Sequence, residues 1–402
     1  MFAVTYEYKK ERLSMTIETM RLKNFRRFSE LSLRFSSRMN VFVGVNGAGK
    51  STILSAIAKM LTWYIRRLLS PQGGGTGQSI SEREIKNKAT ESSISVSVDV
   101  NDRKVAWTLV KSRRSAELGT IKSDLKSLNE HIRDVRQSDG LRSVPVLVGY
   151  TVNRAVLDVP LRIRKHHEFS VMSVYDRAFD GSADFRTFFE WFREHDDIDN
   201  ERLADILIGE SGQTQMDSEL TVVKKALSVF LPQFCKWRIR RSPLRMEVVK
   251  DGEVFNIEQL SDGEKSLIAM IGDLARRLSI ANPGVREPLH GRGIVLIDEV
   301  ELHLHPAWQR DILPRLMNTF PNVQFMVTTH SPLVLAQLNS ALYRQHCKQS
   351  VNEKKIEVFA VKDGTVASML DDETGLLVSG EMDDVANEID AEFERMMEGG
   401  CK

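Results

Sequence analysis

The run Gly44-Val45-Asn46-Gly47-Ala48-Gly49-Lys50-Ser51 decides how this chain is expected to fold. A short apolar segment at 39–43 precedes it, and a segment that is apolar at helical spacing, 52–60, follows it. Strand, glycine-rich turn and helix in that order are the context in which a G-x-x-x-x-G-K-[ST] pattern indicates a phosphate-binding loop. We expect the nucleotide contacts to come from Asn46, Gly47, Ala48, Gly49, Lys50, Ser51 and Thr52.

The chemistry of this loop follows from its residue types. Glycine has no Cβ, so the backbone at Gly44, Gly47 and Gly49 can turn its N–H groups toward an anion. The helix that begins near Gly49 adds the positive end of its dipole. Lys50 can reach the β- and γ-phosphates of a nucleotide, and the hydroxyl of Ser51 can ligate Mg²⁺.

Length and composition are those of an ordinary soluble protein with a large core. The chain has 402 residues, of which 42% are hydrophobic and 28% charged, and its net charge is +1. That balance excludes the global basic field of a dedicated nucleic-acid binder but leaves room for a local basic patch. The three cysteines, Cys235, Cys347 and Cys401, have no metal-binding or redox spacing and are expected to be reduced thiols.

Targeting segments are not evident in the sequence. No apolar run approaches the ~20 residues of a membrane helix, and the first residues lack an apolar signal core. We therefore expect a cytoplasmic protein without a membrane partner. Residues 1–15 are expected to be disordered or extraneous, because Met15 offers a second start site.

Alternating polar and apolar residues predict an antiparallel sheet around the loop. Residues 16–22 and 31–35 alternate as half-buried strands do, and residues 92–110 are typical of a hairpin. The connection between the first two strands carries Arg26 and Arg27. These arginines are either solvated surface charge or contacts to a triphosphate, and the sequence alone leaves both interpretations open.

The pattern between this sheet and the second half of the chain is mainly helical. Residues 118–135 predict one amphipathic helix, residues 220–230 another, and residues 184–192 an aromatic-rich helix packed in the core. Residues 144–148 predict a buried strand that is followed by polar residues. Residues 194–201 predict an acidic turn that faces solvent.

A second group of strands is expected at 237–241, 244–249 and 254–255, with a hairpin turn between the last two. This group carries a basic cluster, which consists of Arg238, Arg240, Arg241 and Arg245. The cluster is either a contact to nucleic acid or nucleotide, or solvated charge, and the sequence leaves both interpretations open.

The segment 260–265 has the features of a capped helix N-terminus. Ser261 has N-capping chemistry and Glu264 stands three residues later, which fits a capping box. The N-terminus of a helix also binds anions. The candidates for binding a γ-phosphate in this segment are therefore Ser261, Gly263 and Glu264.

An apolar run that ends in two carboxylates supplies the other half of the predicted site. Residues 294–297 are all apolar, which predicts a strand buried on both faces, and Asp298 and Glu299 follow. Ligands bind at the carboxyl ends of such strands. We expect Asp298 to ligate Mg²⁺ with Ser51, and Glu299 to orient and polarise the attacking water.

A further β-rich run, at 323–329, ends at His330, which is a candidate to hydrogen-bond the γ-phosphate. Glu301, His303 and His305 stand two residues apart, a spacing that also suggests zinc. A fourth ligand is not evident, so zinc is the less favoured interpretation.

Taken together and in this order, the motifs resemble those of ABC-type ATPases of the SMC, RecF and OLD branch. They are the Walker A loop at 44–51, the signature at 260–264, the Walker B strand at 294–299, and the segments 301–306 and 329–332. Within that branch, the chain resembles the ATP-binding proteins of bacterial anti-phage systems, such as the ATPase subunits of Septu and of related retrons.

The resemblance implies an α/β fold: an ABC-ATPase head of the P-loop NTPase class, with a mixed central sheet, an antiparallel subdomain and a helical insertion. Lobe I, with Walker A, is expected at 16–114, and lobe II, with the signature, Walker B and the H-loop, at 237–370. The helical insertion is expected at 115–236 and includes a Q-loop-like strand at 144–154. Residues 371–402 are expected to form an acidic helical tail.

The resemblance also implies ligands for the site. Two heads are expected to sandwich ATP and Mg²⁺, and the signature of one head completes the site of the other. Arg26 matches the arginine of the family's N-F-R motif and inherits its phosphate-binding role. The glutamine of the usual Q-loop is not identifiable, and Tyr150 to Arg154 occupies its place.

Two functions from this branch compete. The first is an ATP-hydrolysing subunit of an anti-phage complex, a homodimer or higher homo-oligomer that controls an effector. The sequence shows no TOPRIM nuclease domain, so the effector, for example an HNH nuclease, is expected in trans. The second is a RecF- or SMC-like repair or recombination ATPase with DNA as its partner. A third, non-enzymatic interpretation is an ATP-gated scaffold that hydrolyses little.

Overall fold

The computed structural model describes residues 14–70, 74–113, 122–137, 143–152, 170–180, 185–207, 218–347, 355–371 and 377. The predicted extraneous N-terminus lies almost wholly outside the described residues. So does the predicted acidic tail, apart from residues 371 and 377. The last two residues of the predicted Q-loop-like strand, Asn153 and Arg154, also lie outside them.

Within the described residues, strands and helices alternate along most of the chain. The strands are β1 (Met15–Phe25), β2 (Phe28–Arg34), β3 (Met39–Val43), β4 (Glu91–Val100), β5 (Arg103–Ser112), β6 (Val146–Tyr150), β7 (Phe234–Arg241), β8 (Leu244–Lys250), β9 (Glu253–Asn256), β10 (Gly293–Ile297), β11 (Val323–Thr329), β12 (Ile356–Lys362) and β13 (Thr365–Ser368). The helices are α1 (Lys50–Leu69), α2 (Lys126–Gln137), α3 (Phe185–Leu207), α4 (Ser218–Phe230), α5 (Asp262–Ala281), α6 (Pro306–Thr319) and α7 (Pro332–Cys347).

A six-stranded sheet forms the centre of the molecule, in the order β13-β12-β3-β11-β10-β6. All neighbouring strands in it are parallel except β12 and β13. Every residue of β3, β6, β10 and β11 is buried. A parallel strand that is covered on both faces favours apolar residues at most positions, which explains the mainly apolar runs of the sequence.

A separate four-stranded antiparallel sheet has the order β2-β1-β4-β5. Residues along β4 alternate strictly between buried and half-buried, so the predicted hairpin at 92–110 is confirmed. The α/β fold class, with a mixed central sheet and an antiparallel subdomain, is confirmed by these two sheets.

One buried amide joins the antiparallel sheet to the central sheet. Gln324 is fully buried in β11, where its side chain accepts a hydrogen bond from the backbone N–H of Ile17 at 2.8 Å. It donates in return to the carbonyl oxygens of Ile17, at 2.9 Å, and of Ser36, at 2.7 Å. The buried amide of Gln324 is therefore satisfied by backbone groups of β1 and of the connection between β2 and β3.

A three-stranded antiparallel sheet, β7-β8-β9, leads into helix α5. Nearly all residues of α5 are buried, including Asp273, Arg276 and Arg277. The carboxylate of Asp273 accepts hydrogen bonds from Arg276 at 2.7 Å, from Arg277 at 2.8 Å and from the hydroxyl of Tyr150 at 2.9 Å. Burial raises the pKa of Asp273, but the two arginines outweigh burial and bring the pKa to about 2. The buried charge is therefore paired.

Two local predictions are wrong. Of the helix predicted at 118–135, residues 118–121 lie outside the described residues, and residues 122–125 are not helical because Asp124 pairs with the backbone of Thr108 in β5, so the described helix begins at Lys126. The turn predicted at 194–201 is part of α3. Asp196 does not face solvent: it is buried, pairs with Lys224 at 3.1 Å and accepts the backbone N–H of Ile239 at 3.3 Å.

Two observed strands, β6 and β7, do not respect the predicted bounds of the helical insertion. The expected boundary between residues 236 and 237 falls inside β7. Strand β6, which was expected in the insertion, pairs with β10 at the edge of the central sheet. In the part of the chain that the structure describes, no helix has the length and apolar content needed to cross a bilayer.

We predict that Gln324→Leu destabilises the protein by about 2–6 kcal/mol, because the backbone N–H and C=O of Ile17 lose buried partners at about 1–3 kcal/mol each. Chemical denaturation followed by circular dichroism measures the change. The control Met326→Leu, in the same strand, conserves volume and should cost less than ~1.5 kcal/mol. Equal stability of the two variants would show that the amide does not hold the sheets together.

Candidate functional site

The glycine-rich loop between β3 and α1 has the geometry of a phosphate cradle. Gly44, Gly47 and Gly49 have φ values of 152°, 75° and 117°. A Cβ at Gly44 would lie 2.2 Å from the carbonyl oxygen of Val361, so this position requires glycine. Gly49 immediately precedes α1, so the N-terminus of the helix opens into the loop.

Lys50 is held inside this loop. Its side chain is buried, and its ammonium group donates to the carbonyl oxygens of Gly44 and, at 2.9 Å, of Val45. Lysine has three donors on a flexible stem, so the same ammonium can turn to phosphate oxygens in this cradle.

The first turn of α1 meets the end of β10 through two oxygen-bearing side chains. The hydroxyl of Ser51 donates to Oδ1 of Asp298 at 3.0 Å, across 247 residues of sequence. A hydroxyl and a carboxylate are hard oxygen donors of the kind that Mg²⁺ prefers, and few protein ligands suffice for it. Ser51 and Asp298 therefore fit the predicted metal position by the chemistry of their donor atoms.

Thr328, which is not among the predicted site residues, contacts the carboxylate of Asp298 and the backbone of Glu299. Its hydroxyl donates to Oδ1 of Asp298 at 2.5 Å and accepts the backbone N–H of Glu299 at 2.7 Å. Thr328 is fully buried near the end of β11, adjacent to β10. The sequence signal for it was a threonine near the end of a buried strand, two residues before the predicted His330.

The backbone of Asp298 is tied to the strand on its other side. Its N–H donates to the carbonyl oxygen of Tyr150, the last residue of β6, at 2.8 Å. Since the hydroxyl of Tyr150 is bonded to Asp273, the buried network of α5 reaches the end of β10 through one tyrosine. Tyr150 thus links the segment expected as the Q-loop to the Walker B strand.

His330 is paired with Glu301. Its backbone N–H donates to Oε1 of Glu301 at 2.6 Å, and its ring Nδ1 lies 2.9 Å from the same oxygen. Hydrogen bonding to Glu301 raises the pKa of His330 above its ordinary value despite partial burial. Burial raises the pKa of Glu301, but its hydrogen bonds to His330 outweigh burial and leave that pKa below its ordinary value. The pair therefore favours an imidazolium beside a carboxylate.

Of the other residues in the suggested zinc spacing, His305 has a structural contact. Nδ1 of His305 accepts the backbone N–H of Ala307 at 3.3 Å and caps α6. His303 has a φ of 64°. Among the described residues, no three or more His, Cys, Asp or Glu side chains are grouped so as to hold a metal.

The signature segment forms the capping box that the sequence predicts. The hydroxyl of Ser261 donates to Oε2 of Glu264 at 2.9 Å, and the backbone N–H of Ser261 donates to the same oxygen at 3.0 Å. Lys250 pairs with the other carboxylate oxygen of Glu264 at 2.7 Å. None of these bonds involves the phosphate loop of the same chain.

Gly263 has a packing role within its own chain. A Cβ at this position would lie 2.2 Å from the carbonyl oxygen of His303. The N-terminus of α5 therefore packs closely on the segment that follows Glu299. Any larger residue would push the two segments apart.

The two arginines between β1 and β2 have different surroundings. Arg26, with a φ of 49°, donates to Glu84 at 2.8 Å and lies 3.5 Å from the hydroxyl of Ser55 in α1. Arg27 donates to the carbonyl oxygen of Gly47 in the loop itself. Its Cδ lies 2.9 Å from where a Cβ on Gly49 would stand. In this structure Arg27 contacts the phosphate loop, whereas Arg26 contacts Glu84 beside α1.

Comparison with known proteins agrees with the motifs. A family model described as “AAA domain, putative AbiEii toxin, Type IV TA system” matches residues 39–336. The chain is 33% identical over 394 residues to “Retron Ec83 probable ATPase” from Escherichia coli, which covers 81% of this chain and 70% of that protein. It is 25% identical over 331 residues to “Septu protein PtuA” from Bacillus thuringiensis, which covers 79% and 72%.

Among solved structures, the SMC head domain from Thermotoga maritima is similar with a TM-score of 0.45 and 14% identity, over 88% of this chain and 97% of that one. The predicted resemblance to retron and Septu ATPases is confirmed by the two relatives above. The family model begins at β3 and ends within α7, so it includes the phosphate loop, the signature, the Walker B strand and His330. The chain therefore belongs to the family described as “AAA domain, putative AbiEii toxin, Type IV TA system”.

Proposed function

We propose that the protein binds ATP with Mg²⁺ at the end of the central sheet and hydrolyses it. The observation that carries this proposal is the 3.0 Å hydrogen bond between Ser51 and Asp298. It joins the phosphate loop to the acidic end of β10, and few other reactions need a lysine, a hydroxyl and a carboxylate in this arrangement. The match to an AAA-domain family supports the same reaction class.

Each residue has a distinct role in the proposed reaction. The N–H groups of residues 46–52 cradle the phosphates, and Lys50 donates to the β- and γ-phosphate oxygens. Ser51 and Asp298 would hold Mg²⁺, which neutralises charge on those oxygens when it is bound. Thr328 keeps the carboxylate of Asp298 turned toward Ser51 through its own hydrogen bond.

Glu299 and His330 are the proposed catalytic residues. Glu299 directly follows Asp298 and has a φ of 47°, a conformation that costs energy for a residue with a Cβ. Its backbone is held there by Thr328. We assign Glu299 to orient the attacking water and accept its proton. His330, charged by its pairing with Glu301, donates to the γ-phosphate.

We further assign the signature of a second copy to complete the site. Ser261 is exposed at the N-terminus of a 20-residue helix, and its contacts to Glu264 leave it free of its own phosphate loop. An exposed helix N-terminus suits a γ-phosphate presented from outside the chain. A homodimer with two shared sites follows, and higher homo-oligomers are compatible with it.

The biological role that the relatives support is anti-phage defence. Relatives of the chain are named as retron and Septu proteins. We propose that ATP-dependent closure of the dimer controls an effector in trans, such as an HNH nuclease. This role is favoured over RecF-like DNA repair because the retron relative matches 81% of the chain, whereas a RecF relative matches 11%.

Lys50→Ala should weaken ATP binding roughly 10- to 100-fold, since a hydrogen bond to a charged group contributes about 1.5–3 kcal/mol. Isothermal titration calorimetry measures the affinity. Lys59→Ala is the matched control, because Lys59 lies on the same helix but pairs with Glu84. Lys50→Ala should also abolish protection in plaque assays when the protein is expressed with its neighbouring genes. Unchanged affinity in Lys50→Ala would contradict the assignment of the loop.

Glu299→Gln should bind ATP with little change but lower kcat by about 100-fold or more, the usual contribution of a general base. Because hydrolysis is blocked, ATP and Mg²⁺ should hold the variant as a dimer, which light scattering after gel filtration detects. Glu253→Gln, an exposed glutamate on β9, is the control. Normal turnover in Glu299→Gln would refute the role of Glu299. Loss of turnover with a persistent monomer would refute the shared site.

Glu301→Gln should move the alkaline limb of the kcat–pH profile to lower pH. The reason is that Glu301 raises the pKa of His330. Without that carboxylate, the imidazolium loses its proton at a lower pH. The pairing with Glu301 also stabilises the folded protein. This stabilisation is fully present at a pH below the ordinary histidine pKa, and it is lost as the pH rises through the raised pKa of His330. Glu287→Gln, which removes the partner of exposed His290, is the matched control. An unshifted profile would mean that Glu301 does not act through His330.

A further inference from the structure

The sheet β7-β8-β9 carries an arginine face, which we define as Arg238, Arg240, Arg245 and Glu247. Glu247 is buried in the middle of it, with 4% of its side chain exposed. Its Oε2 pairs with Arg238 at 2.7 Å and Arg240 at 3.4 Å, and its Oε1 pairs with Arg245 at 2.7 Å. Three guanidinium groups therefore surround one carboxylate.

The arginine face holds more positive charge than its own stability requires. Three cations and one anion leave a surplus of about two charges. Arg240 and Arg245 stand directly opposite each other in the β7–β8 register. Like charges in such cross-strand positions destabilise a sheet. Because this clustering of arginines opposes folding, we infer that it serves to bind an anionic partner.

The fourth residue of the basic cluster does not belong to this face. Arg241 pairs with Asp197 of α3 at 2.6 Å, so its charge is locally balanced. Arg238 and Arg240 lie on the other side of the sheet from the apolar Ile239, which is buried between them in the sequence. The structure thus divides the four clustered arginines into one paired residue and three that share a carboxylate.

The exposed guanidinium groups are pre-arranged for oxyanions. Arg238, Arg240 and Arg245 are 50%, 55% and 38% exposed, so their outer N–H groups reach solvent while Glu247 fixes their inner ones. A guanidinium held in this way loses little further entropy when it binds. The planar guanidinium can donate two hydrogen bonds to the oxygens of one phosphate. Three adjacent guanidinium groups therefore suit a polymer with a phosphate in every repeat.

We propose that the arginine face binds nucleic acid through its phosphodiester backbone. Asn256 on β9 stands opposite Glu247, and Val254 stands opposite Val249, so the neighbouring strand places no aromatic residue beside the face on which a base could stack. Recognition through phosphates alone predicts binding without sequence preference and with a strong dependence on salt. This proposal does not rest on ATP hydrolysis, because it concerns a face formed by β7 and β8 alone.

The test measures binding of fluorescein-labelled 30-nucleotide DNA, single-stranded and as a duplex, and of RNA of the same length, to the full chain by anisotropy between 50 and 200 mM salt. We expect Arg240→Ala to weaken binding roughly fivefold and to reduce the slope of log K against log salt by about one. Arg240→Lys keeps the charge and should keep most of the slope. Arg240 is the residue of choice because its contact with Glu247 is the longest of the three.

The matched control is Arg103→Ala, which removes one exposed arginine, paired with Asp134, from the other antiparallel sheet. It lowers the net charge equally and should leave binding unchanged. Equal losses in Arg103→Ala and Arg240→Ala would overturn the proposal, as would absence of binding at 50 mM salt. Competition by polyglutamate as effective as that by unlabelled DNA would also overturn it and assign the face to an acidic protein. Melting temperatures of both variants exclude misfolding as the cause.

Discussion

The parallel pairing of β3, β11 and β10 is the constraint on which the rest of the molecule depends. Parallel strands end at the same edge of a sheet, so this pairing brings the phosphate loop, Thr328 and Asp298 together from distant parts of the sequence. These strands are buried on both faces, so they are packed within the core of the molecule. The hydrogen bonds between these strands thus place the side-chain oxygens of Thr328 and Asp298.

Buried polar contacts extend this rigid edge into the helices. Asp298 bonds to Tyr150 through the backbone, Tyr150 bonds to Asp273 through its hydroxyl, and Asp273 pairs with two arginines of α5. In a low-dielectric interior such paired groups interact more strongly than they would in water. Gly263, packed against His303, fixes the other end of α5. The helix that carries the signature is therefore joined at two points to the strand and loop that carry Asp298 and Glu299.

Local chemistry explains which features could be predicted from the sequence. The phosphate loop, the capping box of Ser261 and Glu264, and the buried strand before Asp298 are all encoded by neighbouring residues, so their patterns are visible without a fold. The turn expected at 194–201 shows the limit: its acidic residues indicated solvent, but Asp196 has a lysine and a backbone N–H as partners in the fold. Partners from other segments reverse what local polarity suggests.

The sequence by itself determined the order of the motifs and the chemistry of their side chains, because glycine, lysine and carboxylate have the same properties in any fold. Only the tertiary structure decided which side chains meet. It brought Thr328 to Asp298, turned Arg27 rather than Arg26 toward the loop, and gathered three arginines around Glu247. The physical reason is that most of these contacts join residues far apart in the chain or on facing strands, so they depend on strand order and register, which no short stretch of sequence specifies.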